Sequence, residues 1–465
     1  MSHGYIFLES ETKLFSGSSN YCIIGVCLGF SQTKEGSKIM KRMMRTASAV
    51  ITLLSVLAGM TGCTTRAKAA NLMKDIKAEH VIVRESADTF SAEVTDFALR
   101  LFKESDKNAA NDKNTLISPL SVLLALSMTS NGANGETLSQ MQEVLGLSPD
   151  DLNKFAYAYM QTLEARPDYA GSLELANSIW YKTDPDLSIE PGFLQINADY
   201  YGADLYAATF DDSTLKDINS WVNDKTKGMI PEIVNDIGKD TIMFLINALA
   251  FEAEWQDIYK DNQVRDDKFK TAAGEEKIVS FLNSRENTYI EDENSVGVIK
   301  YYKSKRYAFA AILPNEGSSP EEYLSTLSGA HLSDMLANKQ SCEVITKIPK
   351  FKTEYSVEMS GILSTMGMPL AFDLYRADFR GIGTCGEDKN IFISKVLHKT
   401  FIQVDEKGTK AGAATAVMMD TGTAMPVEKP KPKEVYLTRP FIYMLIDCET
   451  NTPFFIGVMR DPKSK

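Results

Sequence analysis

Residues Val404 to Lys433 read VDEKGTKAGAATAVMMDTGTAMPVEKPKPK, and the fold turns on how this stretch is understood. Ala411, Gly412, Ala413 and Ala414 are all small, and Pro426, Pro430 and Pro432 close the stretch among charges. Composition alone reads as a low-complexity surface loop. The spacing reads differently. Alternate residues Thr409, Ala411, Ala413, Thr415, Val417 and Met419 are small or apolar. The two charges, Lys410 and Asp420, fall on the opposite face. That is the period-2 pattern of a strand with one buried face. Side chains this small can enter a crowded sheet. A loop that can also be a strand is a conformational switch.

Around this stretch the chain is ordinary globular sequence. It has 465 residues, 44% apolar and 24% charged, enough for a large core. The net charge of −12 argues against nucleic-acid binding, which needs clustered Lys and Arg. Upstream of the switch, Val94, Phe97, Ala98, Leu101 and Phe102 recur at helical spacing. Ser118-Pro119 opens a second helix, apolar on most sides and therefore buried. Thr137 can cap a third helix that ends at Gly146. Residues 172–180 and 241–251 read as buried strands, 215–225 as a helix and 309–313 as a strand. From Ile391 onward the pattern is mostly strand, with a hairpin joining Phe441–Ile446 to Phe454–Val458. No interdomain linker follows residue 88, so residues 88–465 read as one domain in which several sheets share helices.

The N-terminus carries an address. Lys41, Arg42 and Arg45 precede an apolar run, Thr46 to Met60, which is short of the roughly 20 residues a membrane-crossing helix needs and suits a signal-peptide core. Met60-Thr61-Gly62-Cys63 is similar to a bacterial lipoprotein cleavage site, which makes Cys63 the expected lipidated N-terminus of the mature chain. An ordinary secretory signal and an uncleaved anchor are the alternatives. Residues 1–39 read as an upstream mis-start, 40–62 as the signal peptide and 63–87 as a lipidated tether. Residues 1–62 hold six Lys/Arg and three Asp/Glu, so without them the net charge goes from −12 to −15. The remaining Cys342, Cys385 and Cys448 are too few and too scattered for a disulfide framework or a zinc cluster. No cofactor or metal is expected. Beyond residue 62 the histidines are His80, His331 and His398. There is no Gly-x-Ser-x-Gly elbow, HExxH helix or phosphate loop, which speaks against an enzyme.

Several blocks together carry a specific resemblance. Glu406-Lys407-Gly408-Thr409-Lys410-Ala411-Gly412-Ala413-Ala414-Thr415 resembles the hinge of inhibitory serpins. In order and spacing, so do Asn114 to Ser121 (NTLISPLS), Gly132 to Thr137 (GANGET), Ile218 to Val222 (INSWV) and Thr226 to Ile230 (TKGMI). Asn247-Ala248 with Phe251 and Trp255, Ile312 to Gly317 (ILPNEG) and Ile348 to Phe351 (IPKF) agree as well. Ala377-Asp378-Phe379 with Gly381-Ile382, and Arg439-Pro440-Phe441 through Gly457 to Pro462, complete the set. The resemblance spans about residues 88–462. Thr438 stands where Asp or Asn is usual, and Lys410 where Glu is common.

The resemblance implies a mixed α/β serpin fold, with three β-sheets, eight or nine helices and an exposed C-terminal reactive loop at 406–433. It implies a monomer that traps serine endopeptidases, and by extension cysteine proteases, in a covalent one-to-one complex. The protease cuts the loop and forms an acyl-enzyme. The freed loop then inserts into the central sheet and deforms the tethered enzyme before the ester is hydrolysed. Insertion adds about a dozen ladder hydrogen bonds at roughly 1 kcal/mol each. An oxyanion hole displaced by about 1 Å loses much of its rate. Gly408 is expected to permit the bend, and Thr409 to Ala414 offer no bulk apart from the outward Lys410. Ser118, Ser121, Asn247 and His398 match a polar cluster beneath the opening sheet, and Trp255 matches the aromatic at the first insertion point. Plain core packing is the competing reading of His398 and Trp255. Counting from the hinge places the reactive bond at Gly422-Thr423, with Met418, Met419 and Thr421 as alternatives. No Lys or Arg occurs from Ala411 to Val427, which points to elastase-like or subtilisin-like targets and away from trypsin. A non-inhibitory, binding or chaperone-like serpin is the alternative function.

Overall fold

A computed structural model describes residues 69–109, 113–164, 172–238, 241–386, 390–409 and 430–463. Cys63, hinge residues Lys410 to Thr415, and Met418, Met419, Thr421, Gly422 and Thr423 lie outside the described residues.

Nine α-helices occur among the described residues: α1 (Ser91–Lys107), α2 (Pro119–Ser130), α3 (Gly135–Leu145), α4 (Pro149–Glu164), α5 (Pro191–Tyr201), α6 (Asp212–Lys225), α7 (Pro320–Thr326), α8 (Gly329–Ala337) and α9 (Ser360–Met366). A seven-stranded central sheet contains β1 (Ala70–Asn71), β3 (Ser172–Lys182), β5 (Asp204–Ala208), β6 (Met243–Glu254), β12 (Phe351–Glu358), β14 (Lys395–Val404) and β15 (Gly408–Thr409). Its order is β1-β5-β3-β6-β15-β14-β12. A nine-stranded sheet contains β2 (Thr115–Ile117), β7 (Val264–Lys270), β8 (Glu276–Glu291), β9 (Ser295–Tyr301), β10 (Tyr307–Pro314), β11 (Gln340–Pro349), β16 (Lys433–Tyr436), β17 (Phe441–Asp447) and β18 (Thr452–Met459). The pair β4 (Leu187–Ile189) and β13 (Gly383–Cys385) makes the third. Nine helices and three sheets match the architecture read from the sequence.

The central sheet is buried on both faces, and β6 shows how. Leu245, Leu249, Phe251 and Ala253 belong to the main core, together with α1, α2 and the nine-stranded sheet. Their neighbours Phe244, Ile246, Ala248 and Ala250 belong to a second cluster with Ile218, Trp221 and Val222 of α6. A strand covered on both sides reads as a continuous apolar run, as MFLINALAF does.

Every residue of α2 is buried. Pro119 sits in its first turn, and Ser118 caps it by accepting from the Ser121 amide. The cap of α3 differs from expectation. Its N-cap is Asn134, while the Thr137 hydroxyl accepts from the Asp378 amide at 3.0 Å. The GANGET block thereby docks on the Ala377 to Ile382 block. Gly381 donates to the Gly132 carbonyl at 3.0 Å, and a Cβ on Gly132 would lie 2.2 Å from Ile382. The segment read as a tether is attached to the fold from Ala69 onward, where β1 pairs antiparallel with β5.

Candidate functional site: the seam of the central sheet

The site is the line along which β6 and β14 meet. The two strands run parallel and pair directly from Phe244–Lys395 to Leu249–Thr400. Beyond that they part. Ala250, Phe251 and Glu252 have no ladder pair with Phe401, Ile402 or Gln403. At the far end β15 lies between them, antiparallel to both. Thr409 faces Ala253 on one side and Val404 on the other.

A tight turn delivers β15 into this mouth. The Asp405 amide donates to the Gly408 carbonyl at 3.0 Å. The Asp405 carboxylate accepts from the amides of Lys407 at 2.9 Å and Gly408 at 3.3 Å. Trp255 grips the turn twice, its amide donating to the Lys407 carbonyl and its indole Nε1 to the Asp405 carbonyl, both at 2.9 Å. The Tyr259 amide donates to the Glu406 carbonyl, also at 2.9 Å. Glu406 pairs with Lys350 at 2.5 Å, and that contact holds the Glu406 carboxyl below its usual range.

Gly408 matters here for closeness. A Cβ on it would lie 2.0 Å from the Ala253 carbonyl oxygen, so no other residue fits at this backbone position. Thr409 is buried, and its hydroxyl meets that of Tyr302 at 2.5 Å. Tyr302 in turn stacks on Trp255 with ring centroids 4.5 Å apart.

Lower down, a polar chain crosses the closed part of the seam. Asn247 and His398 are ladder partners. His398 Nε2 accepts from the Ser118 amide at 3.0 Å, so the ring proton sits on Nδ1 and is donated to Asn247 Oδ1 at 2.7 Å. The Ser121 hydroxyl donates to the same oxygen at 2.6 Å, and Asn247 Nδ2 donates onward to Asn177 Oδ1 on β3 at 3.1 Å. Burial pushes the His398 pKa down to about 3, so the imidazole is neutral.

Four of the five residues singled out from the sequence, Ser118, Ser121, Asn247 and His398, form one cluster. The fifth, Trp255, sits at the mouth. Sequence reading missed Asn177, Tyr259, Tyr302 and Lys350 as members. Lys350 lies inside the quoted IPKF block. Nothing local to Tyr259 or Tyr302 announces a contact with the hinge.

A sheet whose two central strands pair directly at one end and flank a short hinge strand at the other marks a class of mixed α/β fold. The comparisons give that class its family. The serpin (serine protease inhibitor) family model matches residues 92–462, and the chain belongs to that family. An uncharacterized serpin-like protein of Thermococcus kodakarensis is 32% identical over 377 residues, 80% of this chain and 85% of that protein. Alpha-1-antiproteinase of Rattus norvegicus is 28% identical over 382 residues, 80% and 89% of the two chains. The thermophilic serpin tengpin in its native state superposes with a TM-score of 0.78 at 46% identity, covering 84% of this chain and 99% of that one. Tengpin in its latent state gives 0.69 at 41% identity, covering 83% and 100%.

Proposed function

We propose that this serpin inhibits serine endopeptidases as a suicide substrate, trapping the acyl-enzyme by inserting its cleaved loop between β6 and β14. One observation carries the reading: Gly408 and Thr409 already form a strand between those two, in a register that the rest of the loop can continue. Extending that register opposes Ala411 to Phe251, Ala413 to Leu249, Thr415 to Asn247 and Val417 to Leu245. These β6 residues, like Thr409, point to the core side. The alternate set, Gly412, Ala414 and Ala416, would oppose Ala250, Ala248 and Ile246, beneath α6. Both faces of the inserted strand are therefore covered, which accounts for a run that is small on both faces rather than one. Insertion at Thr415 would also replace the Asn247–His398 bond across the seam.

The targets are proposed to be elastase-like or subtilisin-like, because the loop presents no cation to a trypsin-type pocket. The experiment is incubation with elastase, subtilisin, papain and trypsin, followed by denaturing electrophoresis and mass mapping of the cut. An SDS-stable one-to-one complex with elastase or subtilisin, cut between Met418 and Thr423, is expected. A clipped loop with no complex for any protease would make the protein a non-inhibitory serpin. We further propose export and lipid anchoring at Cys63. Labelled palmitate should enter the wild-type chain and not Cys63→Ser. Label in both would reject the assignment.

A further inference from the structure

Lys300 stands in β9, within SVGVIKY, and is only 1% exposed. Its ammonium pairs with Glu286 Oε1 at 2.7 Å and donates to the Asp257 carbonyl at 3.4 Å. It also lies 5.4 Å from the centre of the Trp255 ring and 4.6 Å from that of Tyr259. Glu286 accepts from the Ser284 hydroxyl at 2.6 Å, and that hydroxyl meets the Tyr259 hydroxyl at 3.1 Å. The result is a closed set of contacts: Glu286 holds Lys300, Lys300 faces both rings, and Ser284 ties Tyr259 back to Glu286.

These two aromatic residues make the three bonds that grip the Asp405–Lys407 turn. A buried ion pair loses hydration that apolar side chains of the same size would not, and replacing such a pair by apolar residues is often neutral or stabilising. Packing stability therefore does not account for a lysine here. A desolvated cation facing two rings does fix where the rings lie.

We propose that Lys300 is the positioning residue of the hinge. It holds Trp255 and Tyr259 so that the turn stays formed and β15 stays seated in the mouth. Propagation of the inserted strand then starts from Lys410 without a new nucleation step. That advantage matters because insertion competes with hydrolysis of the acyl-enzyme. The inference rests on the inhibitory reading for its consequence, and on the geometry alone for the grip.

The test uses the full-length protein with Lys300→Met/Glu286→Leu, and separately Lys300→Gln, which keeps a donor and removes the cation. Hydrogen exchange of the Trp255 and Tyr259 amides should quicken about three- to tenfold in both. The number of inhibitor molecules consumed per protease trapped should rise by a similar factor, and the urea midpoint of the double variant should hold or increase. Unchanged exchange in whichever variant folds would overturn the proposal. So would faster exchange with an unchanged partition between trapping and cleavage. If the wild-type protein traps no protease at all, the inhibitory reading fails, and the exchange rates still decide whether Lys300 holds the turn.

Discussion

From Phe244 to Leu249, β6 runs beside β14 in an unbroken ladder, and the Asn247–His398 bond crosses between them. A few residues further on, the same two strands flank β15, beside Trp255 and Tyr302. The closed stretch is held by ladder bonds and a polar chain running from Ser118 through His398 and Asn247 to Asn177. The open stretch is held by a turn, a glycine contact and stacked rings. Two parallel strands can thus pair directly at one end and flank a third at the other, with polar, directional groups across the first part and aromatic rings beside the second. Buried polar chains are sensitive to loss of any member, so the proposed insertion would meet its resistance in the lower seam.

The largest effect tests whether the open stretch stores the difference. Cutting the loop within Val417–Met425 should convert it to a buried strand and stabilise the fold by on the order of 10 kcal/mol, from about a dozen new ladder bonds. A sharp rise in melting temperature after a single clean cut is expected. An unchanged melting temperature would falsify insertion.

Next in size is the mouth itself. Thr409→Arg would bury an unpaired charge against Tyr302, at a cost of several kcal/mol. The variant should still be recognised and cut by the target protease, and almost none of it should remain as SDS-stable complex. One-to-one trapping by Thr409→Arg would show that the hinge does not enter where the structure places it. Gly408→Ala should do the same by clash with the Ala253 carbonyl.

The lower seam should respond more modestly and in the opposite sense. Asn247→Ala removes the shared acceptor of His398 and Ser121, leaving buried donors unpaired at about 1–3 kcal/mol. The melting temperature should drop by a few degrees. Spontaneous loss of inhibitory activity at moderate heat should quicken, since the seam opens without protease. A variant as long-lived as wild type would separate the polar chain from control of opening.

The last effect is acid sensitivity. His398 takes up a proton near pH 6.5 when unfolded but only near pH 3 when folded. Its contribution is fully present above pH 6.5 and is lost as pH falls from 6.5 toward 3, by at most about 1.4 kcal/mol per pH unit. Glu406, held low by Lys350, adds a loss only below its unfolded value of about 4.5. Comparing wild type with His398→Gln by urea unfolding between pH 7 and 5 isolates the histidine. Parallel curves would mean that His398 is not buried and neutral.

Some of this was decided by the sequence alone. The helices from Ser91 to Leu145, the buried run of β6 and the C-terminal hairpin follow from spacing within a dozen residues, because caps and apolar periods act locally. The ordered blocks from Asn114 to Pro462 already indicated the family, whereas the alternation from Thr409 to Met419 lies, beyond Thr409, outside the described residues. At Gly408 the packed sheet adds a constraint that the local sequence does not carry. The glycine's own neighbours suggest a bend, and the added constraint is the carbonyl of Ala253, 155 residues earlier in the chain. Tyr302 over Thr409, Asn177 beyond Asn247 and Lys300 behind Trp255 likewise depend on strands brought together from distant parts of the chain. Local pattern settles which segments can be strands. Only the packed sheet settles which strands pair directly, which flank β15 and which distant side chains line the seam.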